Sequence, residues 1–117
     1  MNNKPKYHLF KNTQYALDGL IHAIKTESSF KLELLLSIVI IPAIFLFDFE
    51  LWEQTILLVT MFLVLIVELL NSAVENVVDL VTTDIHPLAK SAKDIGATAV
   101  MFSIILHISC WGLFLFG

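Results

Sequence analysis

TILLVTMFLVLIV (Thr55–Val67) runs without a break into ELLNSAVENVVD (Glu68–Asp79). The first half is apolar except for its threonines. The second carries Glu68, Asn71, Glu75 and Asp79 at spacings of three, four and four. At about 100° per residue these four, with Ser72, fall within an arc of roughly 100° on a helix. A helix leaving an apolar environment therefore bears a stripe of acids and an amide on one face.

Composition supplies that environment. The chain has 117 residues, 57% hydrophobic and only 15% charged, too apolar for a soluble domain of this size, whose surface must be largely polar. The length suits one domain, residues 1–117. Its net charge of −4 gives no reason to expect nucleic acid as a partner. One cysteine, Cys110, excludes an internal disulfide and reads as a packed small hydrophobe. No His and Cys spacing points to zinc. The N-terminal MNNKPKYHLFKNTQ is polar and basic, without the apolar stretch of a cleavable signal.

Three apolar segments follow: Leu34–Phe47, Thr55–Val67 and Ile95–Phe116. The third is long enough to cross a hydrocarbon core of roughly 30 Å at about 1.5 Å per residue. The first two reach that length if Glu33 and Glu68 lie at membrane depth inside a bundle. Backbone in lipid must satisfy its hydrogen bonds within its own segment, so all three are expected as helices, over about 32–49, 54–81 and 86–116. Pro42 is expected to kink the first. Ahead of them, in residues 1–31, Leu9–Ser29 is amphipathic, with Leu9, Leu17, Leu20, Ile21 and Ile24 on one face. It reads as an interfacial helix. The expectation is thus an all-α membrane protein with three spans and an N-terminal surface helix.

Five of the seven lysines (Lys4, Lys6, Lys11, Lys25 and Lys31) precede the first span, and Lys90 and Lys93 lie between the second and third. The connection DFELWE has none. By the positive-inside rule the N-terminus is cytoplasmic and the C-terminus faces outward. Trp52 and Trp111 then suit the outer interface or the bundle interior. Asp84 is expected to cap the last helix, with Pro87 in its first turn. His107 in the third span reads as a hydrogen-bonding group within the bundle, and His22 as a polar-face residue of the surface helix.

The acids lie at the cytoplasmic end of the second span. Asp79 and Glu75 can be solvated charges beyond the lipid surface, and Glu68 a buried structural acid. A carboxylate at membrane depth costs about 2–3 kcal/mol on insertion scales and is tolerated where it meets protein, water, a cation or a ligand. Carboxylates on adjacent turns can hold Mg²⁺, which takes oxygen ligands and keeps waters and phosphate oxygens. Lys93 can neutralise phosphate, with Asp94 orienting that lysine or accepting from a ribose or amine. Glu68, deeper, can take a proton from an alcohol. Together these are the parts of phosphoryl transfer, although no GxxxxGK[ST] loop or kinase glycine loop is present. Two other classes fit parts of the pattern. A proton-coupled exporter would use a membrane glutamate, but favours paired, inverted spans. A non-catalytic subunit oligomerising through polar contacts would use Asn71 and Ser72. Neither predicts nucleotide binding.

VELLNSAVENVVDLV (Val67–Val81) and HPLAKSAKDIGATAV (His86–Val100), supported by TESSFKLE (Thr26–Glu33), carry a pattern E-x-x-N-[ST]-A-x-E-x-x-x-D followed by A-K-D. In these residues the chain resembles the prokaryotic integral-membrane diacylglycerol kinase family, which includes the undecaprenol kinases, over about Tyr15 to Trp111. The resemblance implies a homotrimer with active sites shared between protomers at the cytoplasmic interface of the inner membrane, and ATP-dependent phosphorylation of a lipid alcohol. It implies Glu68 as general base and Glu27 and Glu75 as holders of Mg²⁺. Asn71 positions the reacting groups. Lys93, Asp94, Tyr15, Asp79, Asp84, Ile85 and His86 meet ATP. Glu27 enters the site on this ground alone. His8 stands where arginine is frequent in the family, Asp18 where lysine is, and Lys90 where a small residue is. HPLAK leans toward undecaprenol, whereas IGATAV and YALDGL…TESSF lean toward diacylglycerol, which is favoured.

Overall fold

The computed structural model describes residues 8–117, which fold into four α-helices: α1 (Leu9–Thr26), α2 (Ser28–Leu46), α3 (Leu51–Val81) and α4 (Pro87–Phe116). Lys4 and Lys6 of the orientation argument lie outside the described residues. α2, α3 and α4 are each long and apolar enough to cross a membrane. At about 1.5 Å per residue α3 spans roughly 46 Å, well beyond a hydrocarbon core of about 30 Å. Glu68 stands about 26 Å along it from Leu51, near the far edge of such a core, and Asp79 lies a further turn or more outside.

Element ends move by a few residues from the expected bounds, α2 running over Ser28–Leu46 against about 32–49. The amphipathic segment stops at Thr26, three residues short of Ser29. Glu27 alone is extended (φ −106°, ψ 99°), serving as C-cap of α1 and N-cap of α2. One non-helical residue thus turns the chain from α1 into the first span and places Glu27 at the corner. α3 begins three residues early, at Leu51, because the Glu50 backbone N–H donates to Glu53 Oε1 at 2.9 Å, filling one of the open positions of a helix start. α4 is capped by His86, whose Nδ1 accepts from Leu88 N at 3.1 Å. The expected cap, Asp84, lies too far upstream: Pro87 takes the first helical position, so the cap is the residue before it. α2 continues through Pro42 as helix on both sides.

α3 packs on both α4 and α2, and α1 rests against α2. The core is small: Ala23 of α1, Phe30 of α2, and Met61, Val64 and Leu65 of α3. Large apolar side chains otherwise point outward on all three long helices, as a lipid-facing surface allows. The apolar face read in α1 is uncovered, with Leu9 62%, Leu17 54% and Ile21 50% exposed, and only Ile24 joins the core.

The half of the bundle away from the acids is tied by polar and aromatic contacts. His107 is buried. Its Nε2 accepts from Trp111 Nε1 at 3.0 Å and its Nδ1 lies 2.7 Å from Thr60 Oγ1, which in turn lies 3.2 Å from Leu57 O. Because the indole only donates, the network assigns the imidazole proton to Nδ1, which donates to Thr60, whose hydroxyl donates to Leu57. This is the bundle role expected of His107. Trp111 also meets Phe47 and Phe49 edge-on, with centroids 5.5 and 5.6 Å apart, while Trp52 is 55% exposed and donates to Glu50.

Candidate active site

The α3 stripe is buried at its inner end and open at its outer end. Glu68, Asn71 and Ser72 are 5, 8 and 7% exposed, Glu75 is half-buried, and Asp79 is exposed. Helical period sets this order: residues three and four apart stay on one face, which here turns toward α2 and α4.

A cleft of ≈390 Å³ opens on that face. The α1–α2 corner lends it Glu27, Ser28 and Ser29; α2 lends Glu33; α3 lends Glu68, Asn71, Ser72 and Glu75; and Ala97 and Val100 of α4 form its wall. Four carboxylates thus share one space, and no Lys, Arg or His lines it among the described residues. Glu68 feels the charges of Glu75 and Glu27, and Glu33 feels that of Glu68. Like charges gathered without a protein cation favour an exogenous one. Asn71 Nδ2 donates to Glu75 Oε1 at 3.1 Å, whereas Glu33 Oε2 is buried with no hydrogen-bond partner. A hard, oxygen-seeking cation fits this donor set. No three Asp, Glu, His or Cys side chains among the described residues are grouped closely enough to enclose a metal by themselves.

A second cleft, of ≈290 Å³, adjoins the end of α3 and the start of α4. Asp79, Asp84, Ile85, His86, Lys93 and Asp94 all line it. It differs in charge from the first by holding two lysines. Lys93 Nζ meets Asp79 Oδ1 at 2.6 Å, and Lys90 Nζ meets Asp94 Oδ2 at 2.5 Å. Of the two roles open to Asp94, orienting Lys93 is not found: consecutive helical residues point about 100° apart, so Lys93 reaches across to α3 while Asp94 pairs one turn back along α4. Glu75 and Asp79, one turn apart, bridge the two clefts.

The structure therefore gathers every expected site residue but one. Tyr15 is 65% exposed on α1 and lines neither cleft. Glu33, expected only as an acid flanking the first span at membrane depth, shares the acidic cleft with Glu68. The available signal was its place at the mouth of an apolar run, where a carboxylate needs a reason to be. A third, mainly apolar hollow of ≈410 Å³ lies between α1 and α3, walled by Ala16, Gly19, Leu20, Ala23, Leu69 and Ala73. Glu27 and Ser72 border both this hollow and the acidic cleft.

Comparison with known proteins agrees with the geometry. The family model described as prokaryotic diacylglycerol kinase matches residues 14–115, nearly the whole chain. The chain belongs to the prokaryotic diacylglycerol kinase family. It is 40% identical to the diacylglycerol kinase of Pseudomonas aeruginosa over 105 residues, covering 90% of this chain and 85% of the relative. It is 38% identical to that of Haemophilus influenzae, covering 93% and 92%, and 37% identical to that of Escherichia coli K12, covering 93% and 89%. A lipid kinase family explains why an acidic cleft and a lysine-bearing one meet at the end of a membrane-spanning helix. With its three candidate spans, this family member is a bacterial membrane protein.

Proposed function

We propose that this chain phosphorylates diacylglycerol to phosphatidic acid with ATP, at the cytoplasmic face of the inner membrane, in a homotrimer whose active sites are shared between protomers. The observation that carries the reading is the adjacency of the two clefts, with Glu68 buried in one and Lys93 standing in the other. The names of the relatives favour diacylglycerol over undecaprenol.

ATP phosphates would lie along the second cleft, where Lys93 neutralises charge and Asp79 holds the lysine upright. His86 and Asp84 border the space for the rest of the nucleotide, with Asp94 paired to Lys90. Glu27 and Glu75 would hold Mg²⁺, which on binding supplies the charge stabilisation that the transferring phosphoryl group requires. Asn71 fixes the Glu75 carboxylate through its amide N–H. The lipid alcohol would enter by the apolar hollow between α1 and α3 and present its hydroxyl to Glu68. Glu68 accepts the hydroxyl proton as the alcohol oxygen bonds to the γ-phosphorus and the bond to the bridging oxygen breaks, leaving ADP. Burial of Glu68 keeps water from competing as acceptor.

The uncovered apolar face of α1 favours its lying on the cytoplasmic leaflet. The lysine distribution favours a cytoplasmic N-terminus and an outward C-terminus. Trimeric assembly would give Tyr15 a place at a neighbouring protomer's site, which a single chain does not offer.

The test is transfer of labelled phosphate from Mg·ATP to lipid by purified protein in mixed micelles, with diacylglycerol and undecaprenol offered separately. Labelled phosphatidic acid is expected. Transfer to undecaprenol alone would replace the substrate, and transfer to neither would remove the reading.

A further inference from the structure

Gly96 of α4 stands against Asn71 of α3. Among the described residues no glycine has positive φ, and the helix passes through position 96 without a break. Backbone freedom therefore does not account for the glycine, and inside a helix it is less favourable than alanine. Space does account for it. A Cβ at position 96 would collide with Asn71 Oδ1 and stand 3.2 Å from Asn71 Cγ. By contrast, a Cβ at Gly112 on the same helix would meet nothing within 4 Å.

The Asn71 side chain cannot simply swing aside. It is 8% exposed, and its Nδ2 is engaged with Glu75 Oε1 at 3.1 Å. A carboxylate offers only acceptors, so the amide end facing Glu75 is the NH₂ end. The carbonyl end is then directed at α4. Oδ1 is buried there without a conventional donor, against the bare Cα of Gly96, where a weak C–H···O contact is what remains to it.

We propose that Gly96 is a positioning residue for the phosphoryl-transfer site: its missing side chain is the seat of the Asn71 amide, and the seated amide holds the Glu75 carboxylate at the acidic cleft. A methyl group at position 96 forces the amide off its seat and releases Glu75, although Gly96 itself lines neither cleft. The role attributed to Glu75 rests on the function proposed above, but the seat itself does not.

Two readouts on the full-length protein in detergent micelles test this. The first is the thermal midpoint of Gly96→Ala, alone and in an Asn71→Ala background. Alone it should lower the midpoint, through overpacking. With Asn71 cut back the clash is gone, and the better helix former should leave the midpoint unchanged or raise it. Gly112→Ala, with open space, should not lower it. The second readout is kinetic. Gly96→Ala should cut kcat by about 10- to 100-fold, as displacement of a positioned group by about 1 Å does. It should raise the Mg²⁺ concentration for half-maximal rate several-fold, while KM for ATP stays within about threefold. A midpoint lowered equally in both backgrounds, or wild-type turnover and Mg²⁺ dependence in Gly96→Ala, overturns the inference. If the wild-type chain transfers phosphate to no lipid, the kinase reading fails by itself, and the reversal between backgrounds still decides the seat.

Discussion

Replacing Glu68 with Gln is the most searching test of the site, because the structure separates its chemical effect from its structural one. Glu68 is 5% exposed on α3, and glutamine has the same shape, so no cavity forms and no overpacking follows. The change also removes one of four acids from a cleft that no Lys, Arg or His among the described residues lines. It relieves repulsion, so the folded protein should be no less stable. What disappears is the proposed proton acceptor. A positioned general base contributes about 10²- to 10⁴-fold, so kcat should fall by that factor, about 3–5 kcal/mol of barrier at 1.36 kcal/mol per tenfold. KM for ATP should stay nearly constant, since Lys93, the lysine proposed to meet the nucleotide, stands in the other cleft. Glu68→Asp retains a carboxylate but withdraws it by one methylene. A displacement of about 1 Å costs on the order of 10²-fold, so this variant should lie between wild type and Glu68→Gln. The assay is labelled phosphate transfer in mixed micelles, with the thermal midpoint and elution volume recorded for each protein. Turnover of Glu68→Gln within threefold of wild type, in folded protein, would falsify the assignment of Glu68 as base.

The other predictions address separate parts of the molecule. Glu75→Gln should raise the Mg²⁺ requirement and cut the rate by two or more orders of magnitude, as loss of a metal-holding carboxylate does; a Mg²⁺ titration of the initial rate checks it. Removing divalent cations with a chelator should abolish transfer, and Mg²⁺ should restore it in full, with circular dichroism unchanged throughout. Lys93→Met should raise KM for ATP at least tenfold while leaving the thermal midpoint in place, because its ion pair with Asp79 is largely solvated and such pairs add little to folding. His107→Leu, far from the clefts, should do the reverse. It strands the indole N–H of Trp111 and removes the donor to Thr60, whose hydroxyl keeps Leu57 O, and a loss of about 1–2 kcal/mol is expected from membrane hydrogen bonds of this kind. The midpoint should drop with kcat and both KM values unchanged.

Much of this was legible in the sequence, because a bilayer imposes simple rules on a chain. Helices were required by the apolar runs, and the α3 stripe followed from a period of three and four. The starts of α2 and α3 lie four and three residues ahead of the expected bounds, and the cap of α4 differs from the expected one, since a cap is decided by which backbone N–H a side chain reaches. Asp84 has the right chemistry for that task, but His86 has the right position. Helical period also separates Asp94 from Lys93, a consequence that adjacency in the sequence conceals. Glu27 entered the site by resemblance alone, for nothing in its neighbours shows that a single extended residue would turn the chain there.

The sequence by itself determined that the chain crosses a membrane, that its acids share one helix face, and which family it belongs to. These depend on composition, period and spacing, all of which are local. Tertiary structure decided which acids share a space. Glu33 and Glu68 are 35 positions apart in the chain and meet because α2 and α3 pack side by side, with Glu27 delivered to the same cleft by the corner before α2. It also decided that the lysines stand apart from that cleft, and that a glycine on α4 makes room for an amide on α3. Contacts between helices depend on packing angle and register, and a one-dimensional pattern carries neither.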